Sequence, residues 1–231
     1  MEAGGAFMVL MFLGFGVIVA LVLVFSYLSA KKRREALQAW AHSRGWTFTQ
    51  NVPQLVGRWK GPPFGTGSGR KAYNALTGVV QGRQVVSFGY QYTVQSGKNS
   101  TTYQFHVVAL SLPVPLSWLQ LRPEGFGTSV AKFFGGQDIE FESIAFNERW
   151  RVEGPAGKYA YDVVHPRLME RLLWPDALGL NIRIEGSDIL VWASGHQDVR
   201  QIDRYLVVLD AIVDSIPRFV WQAHGYDPAA R

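Results

Sequence analysis

The sequence predicts an α+β protein in which an N-terminal transmembrane helix is followed by a mostly antiparallel sheet packed against a long C-terminal amphipathic helix. Three observations carry that expectation. The run from Ala3 to Ala30 holds no charge and is closed by Lys31, Lys32, Arg33 and Arg34. Between Ala72 and Leu112 three strand-like stretches follow one another across short polar breaks, with no alternation of strand and helix that would signal a parallel sheet. From Asp198 to Ser215 apolar residues recur at i, i+3, i+4 and i+7, the period of a half-buried helix.

A helix rises about 1.5 Å per residue and the hydrocarbon core of a bilayer is about 30 Å thick, so about 20 apolar residues suffice to cross it. Phe7 to Phe25 is Phe, Met, Val, Leu, Ile and Ala, broken only by Gly14 and Gly16, which places a span at about residues 6–28 within a segment 1–30. A cleaved secretory signal would need a basic lead and a small-residue cleavage site. Here the lead carries Glu2 and no Lys or Arg, and Leu28-Ser29-Ala30 is a poor cleavage sequence. Basic flanks stay in the cytoplasm, so the cluster Lys31 to Arg34 sets the expected topology in the cell membrane: single-pass, N-terminus outside, C-terminal domain cytoplasmic. Residues 31–45 are expected to continue as a basic juxtamembrane helix, with Leu37, Trp40 and Ala41 at helical spacing and Gly45 placed to end it. Residues 46–231 are then one α+β cytoplasmic domain.

Within that domain, the Pro- and Gly-rich stretch Asn51 to Gly69 reads as a loop. Ala72–Val80, Arg83–Val94 and Thr101–Leu112 read as an antiparallel meander turning at Gln81-Gly82 and at Gln95–Ser100. Alternation puts Phe88, Tyr90 and Tyr92 on one face and Ser87, Gly89, Gln91 and Thr93 on the other, one buried and one partly wet. Pro113 and Pro115 are expected to end the third strand, with a short strand at Trp118–Leu121 and a helical turn at Ser129–Phe134. Two more strands follow at Ile139–Phe141 and Trp150–Glu153, then helices at Tyr159–Val164 and from Pro166. Asn181–Glu185 and Ile189–Ala193 read as a hairpin around Gly186-Ser187.

The formal net charge of +5 invites a nucleic-acid reading, but its distribution argues against one. Setting aside the four bases at 31–34 and Glu2, the rest of the chain carries only +2, so the basicity is mostly juxtamembrane, where it attracts anionic headgroups. The absence of cysteine excludes thiol nucleophiles, iron–sulfur clusters and cysteine zinc sites. Eight tryptophans and modest charge content indicate a packed core.

Few constellations suggest chemistry. Gly65, Gly67 and Gly69 followed by Arg70 and Lys71 form the candidate ligand site, since glycine-loop amides and two cations can hold an anion. The stretch opens a strand where a phosphate loop opens a helix, and it lacks the Gly-Lys-Ser/Thr ending. His42, His106, His165, His196 and His224 show no metal-ligand spacing, so neither a metal nor a cofactor is expected. Asp162 and His165, one turn apart, are the acid–histidine pair for a hydrolase reading, although no nucleophile elbow accompanies them. Asp210 and Asp214 fall on the expected solvated face of the last helix.

Trp40-Ala41-x-x-Arg44-Gly45-Trp46, the glycine loop leading to Ala72-Tyr73-Asn74, Phe146-Asn147-x-x-Trp150-x-Val152, and Tyr161-Asp162 leading to His165-Pro166-Arg167-Leu168-Met169 together resemble a family of uncharacterised actinobacterial single-pass membrane proteins with a cytoplasmic domain of unknown function. The resemblance implies membrane location and no established activity. The expected function is therefore a membrane-anchored, non-enzymatic binding or scaffold module, with the lipid bilayer and an unidentified protein as partners and no nucleic acid. An anionic-ligand or lipid-headgroup sensor is the alternative, and a hydrolase-type enzyme the third reading.

Overall fold

One helix, α1, runs unbroken over Glu2–Ser43 in the computed structural model, which describes residues 2–124 and 137–230. The stretch Met11–Ser43 is long and apolar enough to cross a bilayer, with mean hydropathy 2.5 over its most apolar window. Its apolar side chains from Met11 to Leu28 are exposed, a surface stable against lipid tails and costly against water. The chain divides into two compact units, Met1–Arg44 and Gly45–Arg231.

The second unit is built on a wholly antiparallel sheet. Its described strands are β1 (Thr47–Asn51), β2 (Ser68–Val80), β3 (Arg83–Ser96), β4 (Asn99–Pro123), β5 (Gln137–Ile139), β6 (Trp150–Gly154) and β7 (Asn181–Ser194). They lie in the order β1-β2-β3-β4-β6-β5, with β7 on the other edge of β4. Among the described residues the unit's α-helices are α2 (Ile144–Asn147), α3 (Tyr159–Val163), α4 (Pro166–Leu172), α5 (Val199–Ser215) and α6 (Arg218–Ala223). The α+β class and the antiparallel sheet thus follow the sequence. The amphipathic stripe expected from Asp198 to Ser215 lies on α5, 17 residues long, but this is not a long helix closing the chain, which continues through Pro217 into α6, a helix too short to show a period. The helical turn expected at Ser129–Phe134 lies outside the described residues.

Three local expectations are corrected, each for an identifiable reason. β4 does not stop at Pro113 and Pro115. β3 pairs with it as far as Leu110 and β6 joins the same edge at Gln120, so the prolines fall where that edge has no partner and their missing N–H breaks no ladder bond. Asn181–Ala193 is not a hairpin but one strand paired with β4 along its length. Gly186, at φ +59°, faces the irregular stretch of β4 between Ser111 and Leu119 and inverts the side-chain phase. The apolar positions on one face of β7 therefore change parity, from Ile182 and Ile184 before it to Ile189 and Val191 after it, while Leu190 and Trp192 are buried on the other face. A phase change in one strand looks in sequence like two strands and a turn. The β3–β4 hairpin end is also tighter than expected, since pairing continues to Ser96↔Asn99.

The centre of the sheet is covered on both faces, which corrects the expectation of one wet side. On one face Phe88, Tyr90, Val107, Ala109, Leu190 and Trp192 pack under the irregular segment 52–67, which sends down Trp59 and Phe64. Phe64 is fully buried and lies 5.1 Å from the Tyr90 ring and 5.5 Å from Trp192. On the other face the stripe Ile202, Tyr205, Leu206, Leu209, Ile212 and Val213 of α5 is buried and packs on β4 and β7. Asp198 caps that helix by accepting from Arg200 N–H.

Glycine has a steric role at Gly89, where an added Cβ would approach the Tyr73 ring at 2.5 Å. Gly89→Ala is expected to cost about 1–3 kcal/mol by overpacking. Gly97→Ala, at a hairpin turn open to solvent with φ +59°, is expected to cost only about 1 kcal/mol for its left-handed backbone. Chemical denaturation of the two variants checks the order; equal losses would remove the steric account.

Candidate functional site

The predicted ligand segment is split by the fold. Gly65 donates its N–H to Gly61 O at 2.9 Å, closing a turn under which Phe64 is buried. Gly67, at φ +64°, sits so close to β3 that a Cβ would lie 2.5 Å from Thr93 O. Gly69, at φ +58°, belongs to β2 itself. Ser68 pairs with Thr93 and Lys71 with Gln91, so three steps on β2 face two on β3, a bulge. An unbroken strand would send Arg70 and Lys71 to opposite faces; the bulge brings both onto one cavity.

That cavity, about 390 Å³, is lined by Asn51, Val56, Arg70, Lys71, Tyr73 and Gln91, with Pro53 and Ala72. It opens along β2 where β1 ends, after Asn51↔Tyr73. The three loop glycines stand outside its lining. The nearest bond of Arg70 is a long one, Nη1 to Phe64 O at 3.5 Å. The same carbonyl accepts from Tyr90 Oη at 2.9 Å, and burial pushes that phenol up to about 12. Sequence flagged Arg70 and Lys71; Asn51, Tyr73 and Gln91 join them only through strand pairing, which no local pattern announces. The topology residues Lys31, Lys32, Arg33 and Arg34 lie on α1, with Lys31 Nζ 3.9 Å from Glu35 Oε1.

A larger cavity, about 640 Å³, lies beside the unpartnered stretch of β4, lined in part by Arg83, Leu112, Pro113, Ile216, Trp221 and Tyr226. Arg83 reaches across from β3 to α5, with Nη1 2.9 Å from Asp210 Oδ1 and Nη2 3.1 Å from Asp214 Oδ1. The expected solvated carboxylate pair is therefore a clamp between sheet and helix. Burial raises the Asp210 carboxyl above its ordinary range, with Arg83 working against that rise.

The acid–histidine pair does not form. Asp162 is engaged by Lys158 Nζ at 3.2 Å, and His165 Nε2 donates to Ser215 O at 2.8 Å, tying α4 to the end of α5. A different serine–histidine contact lies inside the sheet. His106 Nε2 is 2.9 Å from Ser87 Oγ, Asp198 N–H donates to His106 Nδ1 at 3.4 Å, and Gln197 Nε2 donates to Ser87 Oγ at 3.1 Å. Because Nδ1 accepts, the imidazole proton sits on Nε2 and is donated to Ser87. The ring has no free lone pair to activate that hydroxyl, and Ser87 is fully buried. This is a structural polar cluster, not a nucleophile with its base. Among the described residues no three His, Asp or Glu side chains gather as a metal site would need.

No family model matches the chain, and no curated protein matches it. Its fold is similar to the crystal structure of the mycobacterial trehalose monomycolate transport factor A, TtfA, at 18% identity over 79% of this chain and 93% of that chain, with a TM-score of 0.57. At that identity the likeness is one of fold. A mycobacterial neighbour is compatible with the actinobacterial resemblance.

His106 gives the domain a defined acid sensitivity. Burial lowers its pKa from 6.5 to about 4, with the Asp198 charge opposing the shift. Above pH 6.5 the ring is neutral whether folded or unfolded. As pH falls toward 4 the unfolded chain takes up a proton that the folded one refuses, so stability declines across that window by about 3 kcal/mol in all. Denaturation midpoints of wild type and His106→Gln against pH test this. The variant is expected to lose this component of the slope, and an identical slope would show that other groups carry it.

Proposed function

We propose that the chain is a membrane-tethered, non-enzymatic accessory factor serving a transport step at the membrane, with its domain on the cytoplasmic side and an integral membrane protein as its partner. The observation that carries this reading is the union, in one chain, of an exposed apolar helix long enough to cross a bilayer with a domain whose fold is similar to that of a protein named as a transport factor. The sealed serine–histidine contact and the separately engaged Asp162 and His165 favour a binding role. Tethering raises the local concentration of the domain at membrane partners, so modest interfaces suffice. The same reading places the chain among actinobacterial single-pass proteins, with Lys31 to Arg34 holding the cytoplasmic flank.

Crosslinking in native membranes, followed by purification through a C-terminal tag, is expected to recover a multi-span transport protein. It should do so far less well when the domain is released without α1. Recovery of soluble enzymes alone, or equal recovery without α1, would overturn the proposal. Topology is tested separately with a C-terminal reporter active only outside the cytoplasm: silence is expected, and activity would reverse the orientation.

A further inference from the structure

We propose that the cavity at the edge of β2 is a binding site for a phosphate-type anion, with Arg70 and Lys71 as its charged ligands and Asn51 and Gln91 as neutral donors. The inference stands independently of the transport reading. It begins with a contrast to five arginines of the domain that are held by carboxylates. Arg58 is paired with Asp188, Arg83 with Asp210 and Asp214, Arg122 with Glu153, Arg171 with Asp176 and Arg183 with Glu185. Arg70 and Lys71 are consecutive, line one cavity, and neither has an acidic partner among the described residues.

The backbone is shaped to produce that arrangement. Left-handed Gly69 and the bulge between Ser68 and Lys71 turn two neighbouring cations toward one volume, where their mutual repulsion is relieved by an anion and by nothing else in the lining. Asn51 and Gln91 offer amide N–H groups beside them, and Pro53, Val56 and Ala72 supply an apolar wall. A volume of about 390 Å³ falls in the range of small-ligand pockets, about 300–1,000 Å³. Arginine and lysine on one anion combine planar, forked recognition with a point charge, as oxyanions of phosphorus require. A bare phosphate leaves the apolar wall unused. A phosphate ester on a short carbon skeleton, such as glycerol phosphate, uses both halves. That chemistry occurs as a soluble ester and as the headgroup of a phospholipid.

The test uses the full chain in phosphatidylcholine nanodiscs, titrated calorimetrically at low salt with glycerol 3-phosphate, and separately with phosphatidylcholine vesicles with or without phosphatidylglycerol. Wild type is expected to show saturable binding in at least one anionic arm. Replacing both cations (Arg70→Gln with Lys71→Gln) is expected to weaken it by at least about tenfold through loss of two charge-assisted contacts. Val56→Glu keeps both cations but places a carboxylate in the wall, and is expected to weaken binding similarly. Lys98→Gln, at the exposed far hairpin, is expected to change nothing. Binding of glycerol 3-phosphate that the double variant loses assigns a soluble ester. Loss confined to the phosphatidylglycerol arm assigns a lipid headgroup. No binding by wild type in either arm, or the same affinity in the double variant and Val56→Glu as in wild type, would overturn the site.

Discussion

The hydrogen-bond ladder of β4 is the constraint on which the rest of the domain depends. One strand of 25 residues carries β3 and then β6 on one edge, and β7 along the other. Because β3 and β6 occupy different lengths of the same edge, a stretch between Leu110 and Gln120 has a partner on one side only. Two consequences follow from that gap. Prolines are tolerated there, and they blunt an edge that would otherwise invite another strand. The gap also opens space between the β2–β3 turn and the end of α5, which Arg83 bridges to its two aspartates.

The irregular stretch of β4 and Gly186 on β7 together exchange the faces of the sheet part-way along. Before the exchange, β7 sends Ile182 and Ile184 to the side of Leu119 and Leu121 on β4. The opposite side of that region carries Gln120, Arg122, Arg183 and Glu185. These polar groups are buried or half-buried and lie in pairs, with Arg122 Nε alone among them left without a hydrogen bond. Arg122 meets Glu153, while Arg183 meets Glu185 at 2.7 Å and Gln120 at 2.6 Å. The cost of taking such charges from water is recovered only when each finds a partner with good geometry. Asp188 shows the same rule where the two halves meet, accepting from Arg58 Nε at 2.8 Å and from Trp59 Nε1 at 3.0 Å. That contact fixes the segment 52–67 over the core.

Sequence made the periodic parts legible and left the aperiodic parts obscure. The stripe of α5 is visible because a helix repeats its buried face every turn, and the β2–β3 turn because Gln81-Gly82 is a left-handed pair, at φ +49° and +78°, of the kind hairpins select. β1 was hidden because Thr47–Asn51 is short and largely exposed, so it shows no alternation. β7 looks in sequence like two strands because simple alternation does not register a change of phase within one strand. At the candidate site, Arg70 and Lys71 stood out as charges after a glycine run. Their companions Asn51, Tyr73 and Gln91 come from three strands, and only the register joins them.

The glycines of that run show why motif and mechanism must be kept apart. Spacing alone suggests that Gly65, Gly67 and Gly69 expose amides to a ligand. In the fold Gly65 closes a turn, Gly67 permits a backbone approach to Thr93, and Gly69 sets a bulge, each a conformational task within the chain. Their effect on recognition is indirect: they place two side chains that a regular strand would separate. The contrast with Ser87 and His106 runs the other way. There the residue types suggest chemistry, but burial and the position of one proton assign them to holding β3, β4 and α5 together. What separates the two cases is whether the polar groups are already satisfied. Ser87 and His106 bond to each other and to the start of α5 away from solvent, whereas Arg70 and Lys71 face an open cavity with their charges uncompensated. Unspent interaction at a surface, more than residue identity, is what distinguishes a place that can bind from one that only folds.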